Sequence, residues 1–443
     1  MLLGVTLAAD ASTLLCIGLI TVAIYRLTVH RLAHVPGPWI FCISSIPQWI
    51  IVLLGTEPQT LAYCHRPESA SNYVANAGFM KDGRYRNFDV NGQPTIYSAI
   101  DKAYRDKRAK AVLSLFAPVR IREAAGAQNV QQYIQQFIAR LASYMFDKSY
   151  GALNEAVNLN SRSPPTKFSE SAWLQVIAAF GYYSMFPTWL FSRMLSLHLA
   201  IQDRLWGASM RRTEPTTPAH TYRGRLRTAG VTEDEVIGIC EGSLFAGTSS
   251  TGQTLATILF HLVRHALVRK RLHQEVGISS SPDLQSLPYL RSVITEGLRL
   301  AMTNPAPLIR AVPDGGCHID GVYLPGRISV GASIYVFHHD PDVFPNSFAF
   351  SPERWLADET DCATRELCYF PFGLGSRSCI RRNLALQELY EAVAAIVKTG
   401  VLEGASTCEE KIIVNGCFNG EVQGHAIDIH WPIRESRSNK VCM

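Results

Sequence analysis

From Thr232 to about Ala266 the chain runs for more than thirty residues without a proline. The run opens on Thr232 and Glu235, the spacing of a capping box, in which each side chain satisfies a free amide at a helix start. A helix of that length crosses an entire domain, so the fold must be organised around it. Other segments read as helix on similar grounds. Asp101 to Phe116 is a basic amphipathic stretch with Pro118 close behind. Pro288 opens another, in which Leu290, Val293, Ile294, Gly297 and Leu298 recur at helical spacing. A last helix runs from about Ile380 to Lys398 and stops at Gly400. Residues 310 to 336 change character: Gly/Pro punctuation and the alternating run His318-Ile319-Asp320-Gly321-Val322-Tyr323 predict small hairpins. Arg211 to Arg227 is polar, basic and rich in Pro and Thr, and reads as an exposed loop. No internal repeat is visible. The expectation is a mainly α fold with a minor β part. One helix-rich domain of about four hundred residues exceeds the usual domain size and normally needs something large at its centre. A cofactor would meet that need.

Composition narrows the class. With 47% apolar and 18% charged residues, there is ample material for a core and no signature of general disorder. The net charge of +5 is compatible with an acidic protein partner or a membrane surface. It is too diffuse for nucleic acid, and no basic run with interleaved aromatics appears. The 11 cysteines are scattered, odd in number and without a C-x-x-C pair. That excludes a zinc module and a secreted disulfide framework, and predicts mostly reduced thiols in a cytosol-facing protein.

The N-terminus predicts a membrane anchor. From Met1 to Tyr25 the only charged residue is Asp10, and as a helix this stretch spans ~37 Å, enough to cross a bilayer. Arg26, His30, Arg31 and His34 follow at once, which keeps that side cytosolic and the N-terminus luminal. A cleaved signal peptide is the alternative, but no basic residue precedes the apolar run. Val35-Pro36-Gly37-Pro38 forms a stiff elbow, so residues 1–35 are read as anchor and linker and 36–443 as one domain. The apolar stretch from Trp39 to Leu54 lies either against the membrane surface or in the core.

The strongest local signal is Phe372-Gly373-Leu374-Gly375-Ser376-Arg377-Ser378-Cys379, a cysteine after a glycine-rich loop at the start of a helix. The glycines let the backbone approach a flat ligand closely. The helix N-terminus favours a thiolate over a thiol. Arg377 supplies a fixed cation for an acidic group on that ligand. On frequency alone, a buried free cysteine after a turn is the commoner arrangement, so the rest of the chain must decide.

F-x-x-G-x-R-x-C resembles the haem-binding loop of the cytochrome P-450 superfamily, and three further landmarks appear in the family's order. Glu296-Gly297-Leu298-Arg299 is similar to its E-x-x-R helix, and Phe350-Ser351-Pro352-Glu353-Arg354-Trp355 to its P-E-R-F segment. Ala246-Gly247-Thr248-Ser249-Ser250-Thr251 sits mid-helix, like the family's oxygen-activating A-G-x-[DE]-T. The resemblance covers residues 230 to 435 well and the first half loosely. It implies a P-450-like fold, a single large haem-thiolate catalytic domain behind an N-terminal transmembrane helix. Cys379 would be the axial ligand of the haem iron, whose electron donation favours O–O cleavage. Glu296, Arg299 and Arg354 would form the buried structural triad. Arg377 and Arg310 resemble the partners of the haem propionates, joined by Arg108 or Lys110 from the 101–116 helix. Phe372 and Gly375 belong to the loop against the haem. Ser249, Ser250 and Thr251 take the catalytic positions, while Phe245, Ala246, Thr251, Ala306, Pro307 and Leu308 fall on segments that face a hydrophobic substrate or pack in the core.

Three departures stand out. The family's Asp/Glu–Thr pair, which relays protons, is Ser249–Ser250 here, so the carboxylate is gone. The glycine expected two residues after the ligand is Arg381. The chain is also short, by roughly fifty residues against a typical eukaryotic member, between Trp39 and Asp101 and between Leu159 and Trp173. The function implied is a haem-dependent monooxygenase that hydroxylates or epoxidises a hydrophobic small molecule. The similarity is greatest to fungal members of secondary metabolism acting on terpenoid or polyketide intermediates. No dinucleotide fingerprint is present, so electrons would come from NADPH through a flavoprotein reductase in the same endoplasmic reticulum membrane. A haem-thiolate isomerase or dehydratase that does not use dioxygen, and an inactive divergent haem binder, are the alternatives that these departures raise.

Overall fold

The computed structural model describes residues 2–44, 46–53, 78–89, 93–122, 193, 222–279, 283–319, 321–356, 362–416, 419–423 and 427–431. Within them the chain is mainly helical with short strands. The elements before the centre are α1 (Leu2–Thr28), α2 (Trp39–Ile43), α3 (Ile46–Leu53), β1 (Met80–Lys81), α4 (Lys102–Leu113), α5 (Pro118–Arg122) and α6 (Tyr222–Thr228). The central and C-terminal part holds α7 (Glu233–Arg264), α8 (Ala266–Ile278), α9 (Pro288–Ala301), β2 (Leu308–Ala311), β3 (Cys317–Ile319), β4 (Val322–Leu324), β5 (Ser329–Ala332), α10 (Ile334–His338), α11 (Cys362–Cys368), α12 (Arg382–Lys398), β6 (Val414–Gly416) and β7 (Gly420–Val422).

Helix α7 is the long helix the sequence predicts, and its capping box forms, with the Thr232 amide donating to Glu235 Oε2 at 3.2 Å. It is the axis of the largest apolar cluster. Ile258 and Leu262 from α7, Leu272 from α8, Leu290, Val293 and Ile294 from α9, and Leu389, Val393 and Ile396 from α12 are all essentially inaccessible. Burying nine such side chains is the main stabilising term here, at ~1.5–3 kcal/mol each before entropy is counted. Gly297 sets how closely α9 approaches α7: a Cβ at that position would collide with the Ile258 side chain. Pro288 stands at the first position of α9, where its missing amide costs nothing, and Met302 closes the helix in the left-handed region at φ 47°.

The strands form a small antiparallel sheet in the order β1-β2-β5, with Lys81 opposite Arg310. The predicted hairpin is β3–β4, in register Cys317↔Leu324, His318↔Tyr323 and Ile319↔Val322. A second hairpin, β6–β7, follows α12.

Two expectations change. The expected loop from Arg211 to Arg227 contains α6: Leu226 is fully buried and packs with Val112, Phe116, Val236 and Ile239, a short apolar face masked in sequence by its arginines. Residues 211–221 lie outside the described residues. The predicted transmembrane span is observed as a continuous helix, but its described side chains are only Thr13, Leu14 and Cys16–Thr28. A span needs ~20 apolar residues, and among the described residues no helix is long and apolar enough to cross a membrane. The side chains of Leu14, Ile17, Leu19 and Ile20 are all more than half exposed.

Gly297→Ala is expected to destabilise the protein by about 1–3 kcal/mol through overpacking. The check is a lowered midpoint in thermal or denaturant unfolding, and an unchanged midpoint would mean that α9 and α7 can separate freely.

Candidate active site

The site grows from a buried ion pair. Glu296 and Arg299 lie one turn apart on α9, and both are fully buried. Arg299 donates Nε to Glu296 Oε2 and Nη2 to Oε1, each at 2.9 Å. Its remaining donors reach the carbonyls of His338 and Ser347, both at 2.6 Å, and of Ala349 at 3.3 Å. Glu296 also accepts from Arg354 Nε at 3.1 Å, the Ser351 amide at 3.0 Å and Trp355 Nε1 at 2.8 Å. Burial alone would raise this carboxyl's pKa. The Arg299 hydrogen bonds and the charges of Arg299 and Arg354 outweigh that and hold it below its ordinary value. The structure therefore brings Glu296, Arg299 and Arg354 together. It adds Trp355, whose indole N–H the sequence pattern does not distinguish from an ordinary apolar aromatic.

From this pair a hydrogen-bonded path leads to the cysteine. His338 is fully buried, with Nδ1 3.2 Å from the Arg299 carbonyl and Nε2 3.2 Å from the Phe370 amide. Since a carbonyl can only accept and an amide can only donate, the ring is neutral with its proton on Nδ1. Burial and the nearby Arg299 charge keep its pKa well below the usual histidine range. Phe370 then begins the loop: Gly373 donates to the Phe370 carbonyl and Cys379 to the Phe372 carbonyl, both at 2.8 Å. Gly373 and Gly375 sit at φ +69° and +66°, the left-handed region that the loop requires and that a side chain resists. Phe372 is half-buried, Gly375 is exposed, and Gly375–Arg377 form a single 3₁₀ turn.

Cys379 is an exposed residue three positions ahead of Arg382, where α12 begins. Its thiol is nevertheless surrounded by enough protein mass that desolvation raises its pKa. The Arg381 amide and the Arg381 and Arg382 charges act in the opposite direction without reversing it. The helix-start effect expected from sequence is therefore outweighed, and a bound metal would have to displace the proton.

Beside the loop is a concentration of positive charge. Arg377 donates to the carbonyls of Ala99 and Ile100, each at 3.0 Å, and Arg310 donates to Tyr85 Oη at 3.2 Å. Lys81, which the sequence analysis did not single out, is buried, with Nζ 4.0 and 3.8 Å from the Tyr85 and Tyr97 ring centroids, and donates to the Tyr97 carbonyl. Its pKa is pushed well down by burial and by the charges of Arg310, Arg377 and Arg105. Arg377 is lowered by burial, Arg105 and Arg310. Among the described residues, none of Lys81, Arg310 and Arg377 forms an ion pair with a carboxylate. Three mutually repelling, partly desolvated cations, one of them on the cysteine's own turn, suit a ligand carrying two carboxylates and a thiolate-seeking metal, which is the chemistry of haem. The register Lys81↔Arg310 was the signal that could have revealed Lys81, but it exists only once the sheet is built.

Arg108 lies elsewhere. It is 2.6 Å from Glu235 and stacked 3.3 Å over Tyr104, fastening α4 to the start of α7. On α4, Arg105 and, with the opposite sign, Asp106 are the residues whose charges reach Arg377. On α7, Ser250 donates to the Ala246 carbonyl at 2.7 Å, while Ser249 and Thr251 are half-buried. Of the expected substrate-facing residues, Ala306 is fully buried, Pro307 and Leu308 are half-buried, Ala246 is exposed, and the Phe245 side chain lies outside the described residues.

A cysteine on a two-glycine turn, a buried E-x-x-R pair behind it and a cluster of unbalanced cations beside it define a haem-thiolate protein. The family model for cytochrome P-450 matches residues 121–403, and the chain belongs to that family. It is 36% identical to the cytochrome P-450 monooxygenase mfmF of Annulohypoxylon moriforme, over 94% of this chain and 99% of that protein. It is 26% identical to the cytochrome P-450 monooxygenase orf2 of Aspergillus niger, over 84% and 86%. Among solved structures it resembles retinoic acid-bound cyanobacterial CYP120A1, with a TM-score of 0.58 and 19% identity over 82% of this chain and 87% of that one. The haem domain of a cytochrome P-450 variant gives a TM-score of 0.54 and 17% identity over 83% and 86%. The alignment with mfmF runs over 490 positions, more than the 443 residues here, so that relative carries segments this chain lacks. Most of the two stretches expected to be shortened lies outside the described residues. The protein is a haem-thiolate monooxygenase supplied with electrons by a redox partner, and neither the isomerase nor the inert reading is favoured.

Glu296→Gln should destabilise the fold by about 3–5 kcal/mol, because it leaves Arg299 buried without its counter-charge. A denaturation midpoint within error of wild type would refute the role given to the pair. Lys81→Met should lower haem retention on gel filtration, read as the haem-to-protein ratio, with the helical circular dichroism unchanged.

Proposed function

We propose that this monooxygenase hydroxylates or epoxidises a hydrophobic small molecule, with a terpenoid or polyketide intermediate as the substrate class. Cys379 is the axial ligand, and Arg377, Arg310 and Lys81 hold the haem carboxylates. The observation that carries the assignment is that Arg377, two residues before Cys379 on the glycine turn, clusters with Arg310 and Lys81, and that none of the three has a carboxylate partner among the described residues. When bound, the haem supplies the activation of dioxygen. The chain's own residues do the rest. Gly373 and Gly375 keep side chains out of the loop that approaches the cofactor, and Glu296, Arg299 and His338 fix that loop in place. Ser249, Ser250 and Thr251 offer hydroxyls along α7 through which a proton can pass by way of water, in place of the family's carboxylate.

The electron donor in this reading is an NADPH-dependent flavoprotein reductase in the endoplasmic reticulum membrane, with α1 as the single-pass anchor and residues 36–443 facing the cytosol. Support for the membrane side comes from the sequence, with its apolar Ala11–Tyr25 run followed by Arg26 and Arg31, and from the exposed Trp39 and Ile40 of α2.

The test is a carbon-monoxide difference spectrum of the reduced protein. Wild type should give the thiolate-type Soret band and Cys379→Ser should lose it; a band that survives in the variant would show that another residue is the ligand. Product analysis with NADPH, reductase and a panel of terpenoid and polyketide precursors then checks the substrate class.

A further inference from the structure

Arg381 stands two residues after the cysteine, where the family pattern has glycine. Its side chain leaves the turn between Cys379 and α12 and reaches α7, donating from Nη1 to the Ser243 carbonyl at 2.7 Å. The guanidinium lies 5.1 Å from the ring centroids of both Phe116 and Tyr222, so aromatic residues from the turn after α4 and from α6 hold it. The Tyr222 hydroxyl is in turn 3.0 Å from Ser243 Oγ, so both the carbonyl and the side chain of that α7 residue are engaged. One turn further along α7 is Gly247, where a Cβ would stand 3.4 Å from Arg381 Nη1. The guanidinium therefore lies against the bare backbone of this face of the helix. At its other end the same residue stands two positions after Cys379, at the turn that leads into α12.

A glycine at this position has no side chain to reach the Ser243 carbonyl or to sit against Phe116 and Tyr222. A lysine could carry the charge, but not the planar fork that sits between rings while donating along its edge. Arg381 therefore connects two parts of the site. One is the cysteine turn; the other is the stretch of α7 that holds Ala246 to Thr251.

We propose that Arg381 is a positioning residue that fastens the cysteine turn to α7, and that its charge weakens electron donation by the Cys379 thiolate while its fork fixes the Ala246–Thr251 segment. The proposal rests on the haem-thiolate reading above. A cation held close to a metal-bound sulfur draws density from it and raises the potential of the metal, as outer-shell partners do at metal sites generally.

The experiment uses the full-length haem-loaded chain as wild type, Arg381→Gly, Arg381→Gln and Arg381→Lys. It measures the ferric/ferrous reduction potential and the Soret position of the carbon-monoxide complex. Arg381→Gly and Arg381→Gln should both move the potential to more negative values, and Arg381→Lys, which keeps the charge, should move it least. Arg381→Lys keeps a long side chain ending in a donor directed at Ser243, so it should waste less NADPH as peroxide than Arg381→Gly. Wild-type potential and Soret position in both uncharged variants would overturn the proposal, and where Arg381→Gly fails to load haem, Arg381→Gln alone decides. A wild-type protein without a thiolate-type band would instead overturn the haem-thiolate reading, which separates the two failures.

Discussion

The Glu296–Arg299 pair is the point on which the rest of the molecule hangs. Two charges with no solvent exposure are tolerable only when every donor and lone pair finds a partner. Here that condition recruits residues from 296 to 355: the carbonyls of His338, Ser347 and Ala349, the Ser351 amide, the Arg354 guanidinium and the Trp355 indole all converge on it. Satisfying one ion pair thus folds a long irregular segment, with few regular elements of its own, into a single arrangement. His338 carries that order onward to Phe370, and the loop that follows inherits its position from there. The cysteine turn is held by this chain of bonds, by the Phe372 carbonyl, and by Arg377 and Arg381 on either side of it.

Electrostatics around the cysteine run opposite to those around the triad. At Glu296 the opposite charges win over desolvation, so the site is complete in the chain alone. At Lys81 and Arg377, like charges and burial act in the same direction and lower both pKa values. Asp106 opposes this at Arg377 without reversing it. Burial likewise raises the pKa of the Cys379 thiol. An anionic, metal-bearing group would offset both. Its binding then contributes directly to stability, since the unfolded chain has no equivalent site.

How much was legible in the sequence depended on whether a signal was local. The capping box at Thr232 and Glu235, Pro288 at a helix start, the β3–β4 hairpin and the E-x-x-R turn are all written within a few residues, and each forms as the spacing implies. Helix α6 was lost because Leu226 is a single buried side chain among arginines, and its partners Val112 and Val236 lie on other elements. Lys81 was lost for the same reason: a lysine near a turn reads as surface until β1 pairs with β2 and places it opposite Arg310. Arg108 shows the converse error. Its helix was identifiable but its register was not, and Glu235, a residue already committed to the capping box, turns out to bind it as well.

The lost carboxylate on α7 looks different once the hydroxyls are placed. Ser250 spends its proton on the Ala246 carbonyl one turn back, a common resting state for a helical serine. In that state it can accept but not donate. Among the described residues no hydrogen bond takes the Thr251 hydroxyl, which sits one position further on and half-buried. A relay along α7 therefore has to begin with a rotation of Ser250 away from Ala246, and that rotation exchanges one local hydrogen bond of about 0.5–1.5 kcal/mol for one to water. The exchange costs little, so in the proposed reading the missing acid removes a fixed proton source and not the path itself. Proton delivery would then depend on how firmly α7 is held relative to the cysteine turn, which is the relation proposed for Arg381.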